Sequence, residues 1–224
     1  EEGRTVYDNI RKAIAFILPT NIGQAGLLVI AIALGITLPI TPVQILWVNM
    51  VTAVTLALAV AFERSEPDIM ERPPRDPRER LLTGFLLWRV FFVGALLVAG
   101  SLMLFLRALD HGDSLAAART VAINALVMGE IVYLFNVRLL NASILNRQGF
   151  LGNPKALAAV SAMAALQAAF VYVPFMQEIF HTAPLTMTDW RDIAGFGVFV
   201  LLVVEVEKWI AGRLRARRGE GPLS

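Results

Sequence analysis

Cysteine is absent from the 224 residues, and histidine occurs only twice. Without thiols the chain can form neither a disulfide framework nor a thiolate metal site. Charge is also scarce, because Asp, Glu, Lys and Arg make up 17% of the residues, whereas soluble domains average about 25%. Hydrophobic residues reach 57% and the mean hydropathy is +0.64. These values exclude an ordinary soluble domain and predict a membrane protein.

The apolar residues form six runs, each close to the ~20 residues that cross a hydrocarbon core of about 30 Å. The runs cover residues 13–38, 42–62, 82–106, 119–139, 155–175 and 192–211. Pro39 and Pro42 break helical hydrogen bonding between the first two runs, which should therefore form a tight antiparallel hairpin. Polar segments at 63–81 and 177–192 are expected to lie in water on opposite sides. The sequence thus predicts an all-α membrane protein with a bundle of six transmembrane helices.

Basic residues lie almost entirely on one side of these predicted helices. Seventeen of the twenty Lys and Arg lie in the N-terminal segment, in or next to the 63–81 loop, in the 138–155 loop or near the C-terminus. The other side has only Arg107, Arg119 and Arg191. Because Lys and Arg accumulate on the cytoplasmic side of membrane proteins, both termini are predicted to be cytoplasmic.

Five polar residues are predicted to lie inside the membrane on three helices. Asn21 and Gln24 are three residues apart, and so are Asn49 and Thr52, a spacing that places side chains on one helix face. Glu130 is the only carboxylate deep inside a predicted span, where a charge costs about 2.5–3.5 kcal/mol. Amide, hydroxyl and carboxylate oxygens are ligands of hard cations. We therefore expect the five residues to converge on one dry, cation-binding pocket.

Interhelical hydrogen bonding is the competing explanation for such residues, since each bond holds membrane helices together by about 0.6–2 kcal/mol. Spacing alone leaves both explanations open for the two pairs. Helix contact is the favoured role of four other residues: Gln44, Asn124, Asn136 and Gln167. Glu205 and Glu207 lie beside Lys208 near the cytoplasmic end of the last helix, so a salt bridge or a headgroup contact is expected. Pro19 removes one backbone hydrogen bond from the first helix and frees a carbonyl oxygen.

Several motifs resemble one known family, in the family's order. They are "EGRTVYDNIRKAIAFILPTNIGQ", "PVQILWVNMVTA" and "DIMERPPRDPRERLLTGFLLWR" within the first 90 residues, then "GEIVYLFNVR" and "DWRDIAGFGVFVLLVVEVEKWI". The chain resembles the C-terminal membrane region of cation-transporting P-type ATPases of the sarcoplasmic-reticulum calcium pump type. The resemblance implies that it corresponds to the fifth to tenth membrane helices of such a pump.

The resemblance also implies ligand roles. In the family, cation ligands come from the fourth, fifth, sixth and eighth membrane helices. Asn21 matches an amide ligand of the fifth helix, and Asn49 and Thr52 match ligands of the sixth. Glu130 matches the glutamate of the eighth helix.

Two positions depart from the family pattern. Gln24 stands where the calcium pump has a glutamate, and Ala53 stands where the family shares an aspartate. Neutral side chains cannot offset the four positive charges of two desolvated divalent ions, so transport of two calcium ions is doubtful. One divalent ion aided by a carboxylate from outside this chain and one monovalent ion both stay open.

The resemblance and the apolar runs together divide the chain. Residues 1–224 are expected to form a single transmembrane domain. Its parts are a cytoplasmic stalk segment at 1–12, a hairpin with the ion site at 13–62, a cytoplasmic loop at 63–81, four further membrane helices at 82–211 and a basic cytoplasmic tail at 212–224.

The function implied is that of the membrane-spanning part of an ATP-driven cation pump. The family's phosphorylated aspartate lies in a "DKTGT" motif, which this sequence lacks, as it lacks a "GxxxxGK" loop. ATP hydrolysis would therefore require cytoplasmic domains outside this chain. ATP and Mg²⁺ are expected as cofactors of the intact pump, with none in this chain.

The expected partners are the lipid bilayer, further N-terminal membrane helices, the cytoplasmic ATPase domains and the transported cation, with no nucleic acid. The expected location is the plasma membrane of a prokaryote, as a multi-pass protein that is part of a longer polypeptide. The alternative hypothesis is a free-standing helical membrane scaffold or channel-like subunit without ATPase activity.

Overall fold

The computed structural model describes residues 2–52, 59, 84–138 and 154–218, and most of them are helical. No strand occurs among these residues. The helices are α1 Glu2–Ala33, α2 Pro42–Thr52, α3 Gly84–Asp110, α4 Leu115–Arg138, α5 Pro154–Tyr172, α6 Pro174–Phe180 and α7 Met187–Arg218. The protein is thus an all-α membrane protein, as the apolar runs predicted.

A break separates the first two helices where the prolines predicted one. α1 ends at Ala33, earlier than the predicted boundary at 38, and Gly35 follows with a φ of 66°, which glycine adopts without steric cost. The Ile36 N–H donates to the Ala31 carbonyl at 3.0 Å and so closes the helix end. α2 then begins at Pro42, a first-turn position where no intrahelical N–H bond is needed.

The tight antiparallel hairpin expected of residues 13–62 stays a prediction, because much of its second run lies outside the described residues. Among the described residues, α1 packs mainly on α3 and α4, whereas α2 packs on α4 and α5. Both helices therefore contact α4. Residues 53–58 and 60–83, which hold the rest of the predicted second span and the proline-rich loop, lie outside the described residues.

Among the described residues, three helices are long and apolar enough to cross a membrane by themselves: α1, α3 and α4. The pair α5 and α6 qualifies as a fourth span if the two are taken together, although they are bent by 79°. α7 has 32 residues but carries Glu205, Glu207 and Lys208 in its apolar stretch. The predicted number of six spans therefore stays a prediction.

α4 lies at the centre of the bundle. It packs against α1, α2, α3, α5 and α7. In its most apolar stretch 83% of the residues are buried, compared with 39% in α1. Gly129 lets the side chains of Leu97 on α3 and Phe196 on α7 come close to the α4 backbone. A polar side chain on α4 is thus surrounded by protein rather than by lipid.

α4 runs antiparallel to both α1 and α3. Tyr133 of α4 contacts Ala15 of α1, while Leu126 lies against Gly23, so the residue number rises along one helix as it falls along the other. α3 and α4 are joined by a short turn at 111–114 and are also antiparallel. The N-terminal end of α1, the N-terminal end of α3 and the C-terminal end of α4 therefore lie on the same side.

Two ion pairs fix α7 antiparallel to α3. Arg89 and Glu207 lie 2.7 Å apart near one end, and Arg107 and Asp192 lie 3.2 Å apart near the other. The C-terminal end of α7 consequently lies on the same side as the N-terminal end of α1. This agrees with the sequence prediction that both termini share one side of the membrane.

The fifth predicted span, 155–175, is shorter than expected, and part of the predicted polar segment 177–192 is helical. α5 ends at Tyr172, the chain bends at Val173, and α6 starts at Pro174. The hydroxyl of Thr182 donates to the Phe170 carbonyl at 2.8 Å, which folds the segment back onto α5. Pro174 supplies no N–H and so favours a new helix start over continuation of α5.

Candidate functional site

Glu130 places a carboxylate in the middle of the central helix, with none of its surface exposed. Two side chains from other helices donate to it. Gln24 Nε2 on α1 lies 3.0 Å from Glu130 Oε1, and Thr52 Oγ1 on α2 lies 2.9 Å from Glu130 Oε2. Each carboxylate oxygen thus has one donor, and one acidic group links three helices.

Both donors are themselves buried. Gln24 is 2% exposed and Thr52 is 3% exposed. The Gln24 amide oxygen, Oε1, is buried and accepts no hydrogen bond from any described residue. Because a buried polar atom without a partner is costly, this oxygen marks a position where a cation or a water molecule would be stabilised. Ala53, the next residue after Thr52, lies outside the described part of the chain.

Asn21 and Asn49 are placed differently from the other three predicted ligands. Asn21 is exposed on α1 and Asn49 is half-buried on α2. Neither donates to Glu130 within the described part of the protein. Hydrogen bonds thus bring Gln24, Thr52 and Glu130 together, and neither Asn21 nor Asn49 takes part in these two bonds. At about 100° per residue, a spacing of three separates two side chains by about 60° around the helix axis, which is enough to turn one of them out of the bundle.

The four residues assigned to helix contact behave in three ways. Gln44 does link elements, since its Nε2 donates to the Phe180 carbonyl at 2.8 Å and its Oε1 accepts from the Thr41 N–H. Asn124 and Asn136 donate to carbonyls of their own helix, four residues earlier. Gln167 is buried, and neither atom of its amide has a partner among the described residues. Interhelical bonding is therefore seen for the first of the four.

The carbonyl that Pro19 frees is used by a residue that the sequence did not indicate. Pro19 lacks the N–H that would bond to the Ala15 carbonyl, and Tyr133 of α4 donates its hydroxyl to that oxygen at 3.0 Å. This carbonyl thus joins α1 to α4 through the Tyr133 hydroxyl. A buried tyrosine one turn from Glu130 was the available signal, because a phenolic hydroxyl inside a membrane needs a partner.

The acidic residues of α7 form the salt bridges that were expected. Glu207 pairs with Arg89 at 2.7 Å, and Lys208 pairs with Glu205 at 3.1 Å. Arg89 was counted from the sequence only as a basic residue near a loop. Its position inside an apolar run was the missed signal, since a buried guanidinium requires an acidic partner at the same depth.

The site offers oxygen ligands of three kinds with a single negative charge. Described residues contain no group of three or more Asp, Glu or His side chains near one another. Such a set has the chemistry to replace the hydration shell of a hard cation, with the amide and the hydroxyl moving from the carboxylate to the ion.

Known proteins that are similar to this chain are named as cation-transporting ATPases. Residues 37–210 match the family model described as "Cation transporting ATPase, C-terminus". The "Probable cation-transporting ATPase F" of Mycobacterium tuberculosis is 45% identical over 217 residues, which cover 97% of this chain and 24% of that relative. The "Cation-transporting ATPase pma1" of Synechocystis is 40% identical over 198 residues, covering 85% and 22%.

A third relative, the "Calcium-transporting ATPase" of Bacillus subtilis, is 33% identical over 219 residues, covering 97% of this chain and 24% of the relative. The chain thus spans about a quarter of the length of these relatives. The matched family model covers most of the chain, including α2 to α6 and α7 as far as Ile210. The chain therefore belongs to the cation-transporting P-type ATPases and represents their C-terminal membrane region.

Proposed function

We propose that this chain is the membrane-spanning part of an ATP-driven pump and that Gln24, Thr52 and Glu130 bind the transported cation. The observation that supports the proposal is the fully buried Glu130 carboxylate, which meets two polar side chains on separate helices. A lone carboxylate at this depth is expensive, so a functional partner is the usual reason for keeping it. The relatives that are named as cation-transporting ATPases support the assignment of the chain to a pump.

Asn21 and Asn49 are proposed as further ligands at the margin of this site. Each lies one turn from a residue of the buried set, on α1 or α2. Asn21 is exposed in this chain, on the flank where we place the N-terminal membrane helices of the intact pump. A ligand from those helices would close the site between itself, Asn21 and Gln24.

The charge of the site favours one cation. A single carboxylate with neutral amides and a hydroxyl balances one positive charge, and a divalent ion would need a second carboxylate from outside this chain. The Bacillus subtilis relative is named as calcium-transporting, whereas the relatives of higher identity are named only as cation-transporting. We therefore propose one hard cation per cycle and leave monovalent and divalent ions as alternatives for the experiment.

α1 provides a path from ATP hydrolysis to the site. It is one unbroken helix from Glu2 to Ala33, about 48 Å long, and Gln24 lies in its inner half. We propose that residues 1–12 form a stalk which contacts the cytoplasmic domains where ATP and Mg²⁺ act. Tilting a stiff helix changes the distance between Gln24 and Glu130, and so changes how tightly the cation is held.

The test is Glu130→Gln in the intact protein, with ATPase activity titrated against Ca, Mg, Mn, Na and K salts. Losing the only charge of the site should weaken the apparent affinity for the activating cation by at least about tenfold, the effect of removing one charged interaction of about 1.5 kcal/mol. Asn136→Ala is the matched control, because Asn136 is buried on the same helix and bonds only to the Val132 carbonyl. If Glu130→Gln and Asn136→Ala both titrate like the parent, the ligand assignment is wrong.

A further inference from the structure

An apolar groove runs along the outer face of the bundle between α3 and α7. Its volume is about 610 Å³, and its walls include Trp88 and Phe92 on α3 and Phe199, Val206 and Ile210 on α7. The side chains of Trp88, Phe199 and Val206 are more than half exposed, so the groove faces the surroundings of the bundle rather than its interior.

The groove is long enough to extend across one leaflet of a bilayer. From Phe199 to Leu214, the lining residues of α7 span about 22 Å along the helix axis. Half of the hydrocarbon core is about 15 Å thick. An extended acyl chain lying in the groove would therefore reach from the headgroup region to the midplane of the membrane.

A positively charged side chain, that of Arg213, lies at the end of the groove. Arg213 follows the lining residues Ile210 and Ala211, is exposed, and places its guanidinium 3.8 Å from the centre of the Trp209 ring. It forms no ion pair with any residue in the described part of the chain. Trp209 is also exposed, and indole rings favour the level of lipid headgroups. The C-terminal end of α7 lies at this end of the groove, on the side of the membrane that is predicted to be cytoplasmic.

Apart from Arg213, the charged side chains in or next to the groove wall are paired with opposite charges, so they do not repel an anion. Glu207 contributes to the wall, but Arg89 lies 2.7 Å from its carboxylate and offsets its charge. Lys208 and Glu205 likewise offset each other at 3.1 Å. Arg213 is thus the charge at the groove that has no described counter-ion, and a phosphate is the complementary partner at this depth.

We propose that this groove binds one acyl chain of an anionic phospholipid, with the lipid phosphate held by Arg213. The stacked indole of Trp209 keeps the guanidinium at the headgroup level, and the apolar walls bury the chain. The proposal does not depend on the cation site, since Glu130 lies inside the bundle and the groove lies on its outer face.

The experiment titrates the intact protein in detergent with phosphatidylglycerol or with phosphatidylcholine of the same acyl chains and counts bound lipids by native mass spectrometry. We expect Arg213→Gln to weaken phosphatidylglycerol binding by about fivefold, the effect of one basic residue near an anionic lipid. Arg213→Lys, which keeps the charge, should retain binding. Arg191→Gln, which removes another exposed arginine from the other end of α7, should leave binding unchanged.

Filling the groove is the second arm of the experiment. Val206→Trp adds an indole inside the groove and should weaken binding of both lipids, whereas Val198→Trp changes an equally exposed valine of α7 outside the groove and should not. Equal binding of the two lipids by the parent, or equal losses in the test and control variants, overturns the proposal. Co-purification of a membrane polypeptide that Val206→Trp displaces overturns it too, because the occupant is then a protein helix.

Discussion

The Ala15 carbonyl shows how a single residue can join two membrane helices. Pro19 cannot donate to it, and water is absent from the hydrocarbon region, so another donor is required. Tyr133 supplies that donor from α4, and the rings of Tyr133 and Phe16 stack beside the bond with centroids 6.4 Å apart. The effects of replacing Pro19 and Tyr133 on the stability of the protein are therefore predicted to depend on each other.

Replacing Tyr133 by Phe should destabilise the intact protein by about 1–3 kcal/mol, because the Ala15 carbonyl then has no donor. Pro19→Ala restores an N–H four residues after that carbonyl and provides an alternative donor. Tyr133→Phe should consequently cost less in the Pro19→Ala background than in the parent. Thermal unfolding of the four proteins in one detergent measures this coupling as a double-mutant cycle. Equal costs in both backgrounds would contradict the link.

The sequence indicated which residues belong to the candidate site better than it indicated the directions in which their side chains point. Glu130 and Gln24 are recognisable because ionisable and amide side chains are rare at mid-span and need polar surroundings. Their contact with each other and with Thr52 is not visible in the spacing, since it depends on how α1 and α2 are rotated against α4. The exposed position of Asn21 has the same origin, because helix rotation is set by packing along the whole interface. The ligand roles of Asn21, Gln24, Asn49, Thr52 and Glu130 all stay predictions.

At the scale of elements, the contact between α3 and α7 depends on a missing side chain. Gly100 on α3 lies so close to Phe196 on α7 that an added Cβ would clash with the ring. Phe196 is 5% exposed and also lies against Gly129 of α4. Its ring therefore fills the junction of three helices, and Gly100 is needed to admit it.

Gly100→Ala should lower the melting temperature of the intact protein, since overpacking a filled interface costs about 1–3 kcal/mol. Gly195→Ala is the control on α7, where no atom lies within 4 Å of the added Cβ. It should be neutral or stabilising, because alanine favours a helix over glycine by up to about 1 kcal/mol. Combining Gly100→Ala with Phe196→Leu should recover part of the loss. A Gly100→Ala protein as stable as Gly195→Ala would show that the ring can move away.

The helix boundaries show which elements can be predicted from a pattern. α3 and α4 follow uniform apolar runs, so their existence and approximate limits were predictable from hydropathy. α6 was missed, because Phe175 continues the apolar run of α5 while the chain direction changes by 79° at Val173. The direction of a bend depends on tertiary bonds, such as Thr182 to the Phe170 carbonyl, which no local pattern specifies.

At the scale of the whole molecule, α7 decides whether the chain ends on the side where it begins. Its apolar stretch holds three charged residues, which excludes it from the candidate spans when length and composition are the only criteria. The charges are compensated within the bundle, however, by Arg89 on α3 and by the pair of Lys208 with Glu205. Compensated charges near a helix end lower the cost of insertion, so we expect α7 to cross the membrane.

The absence of cysteine makes this topology measurable, because single cysteines introduced into this chain have no background within it. Gly3→Cys and Gly212→Cys should react with a membrane-impermeant maleimide only after the cells are permeabilised, since basic residues retain both ends in the cytoplasm. His111→Cys and Thr188→Cys, both at exposed positions on the opposite side, should react in intact cells. Labelling of Gly212→Cys from outside would contradict the prediction for the C-terminal end. Protection of Thr188→Cys until permeabilisation, with His111→Cys labelled as expected, would instead mean that α7 stays on the cytoplasmic side and that its ion pair with Arg89 forms without a crossing.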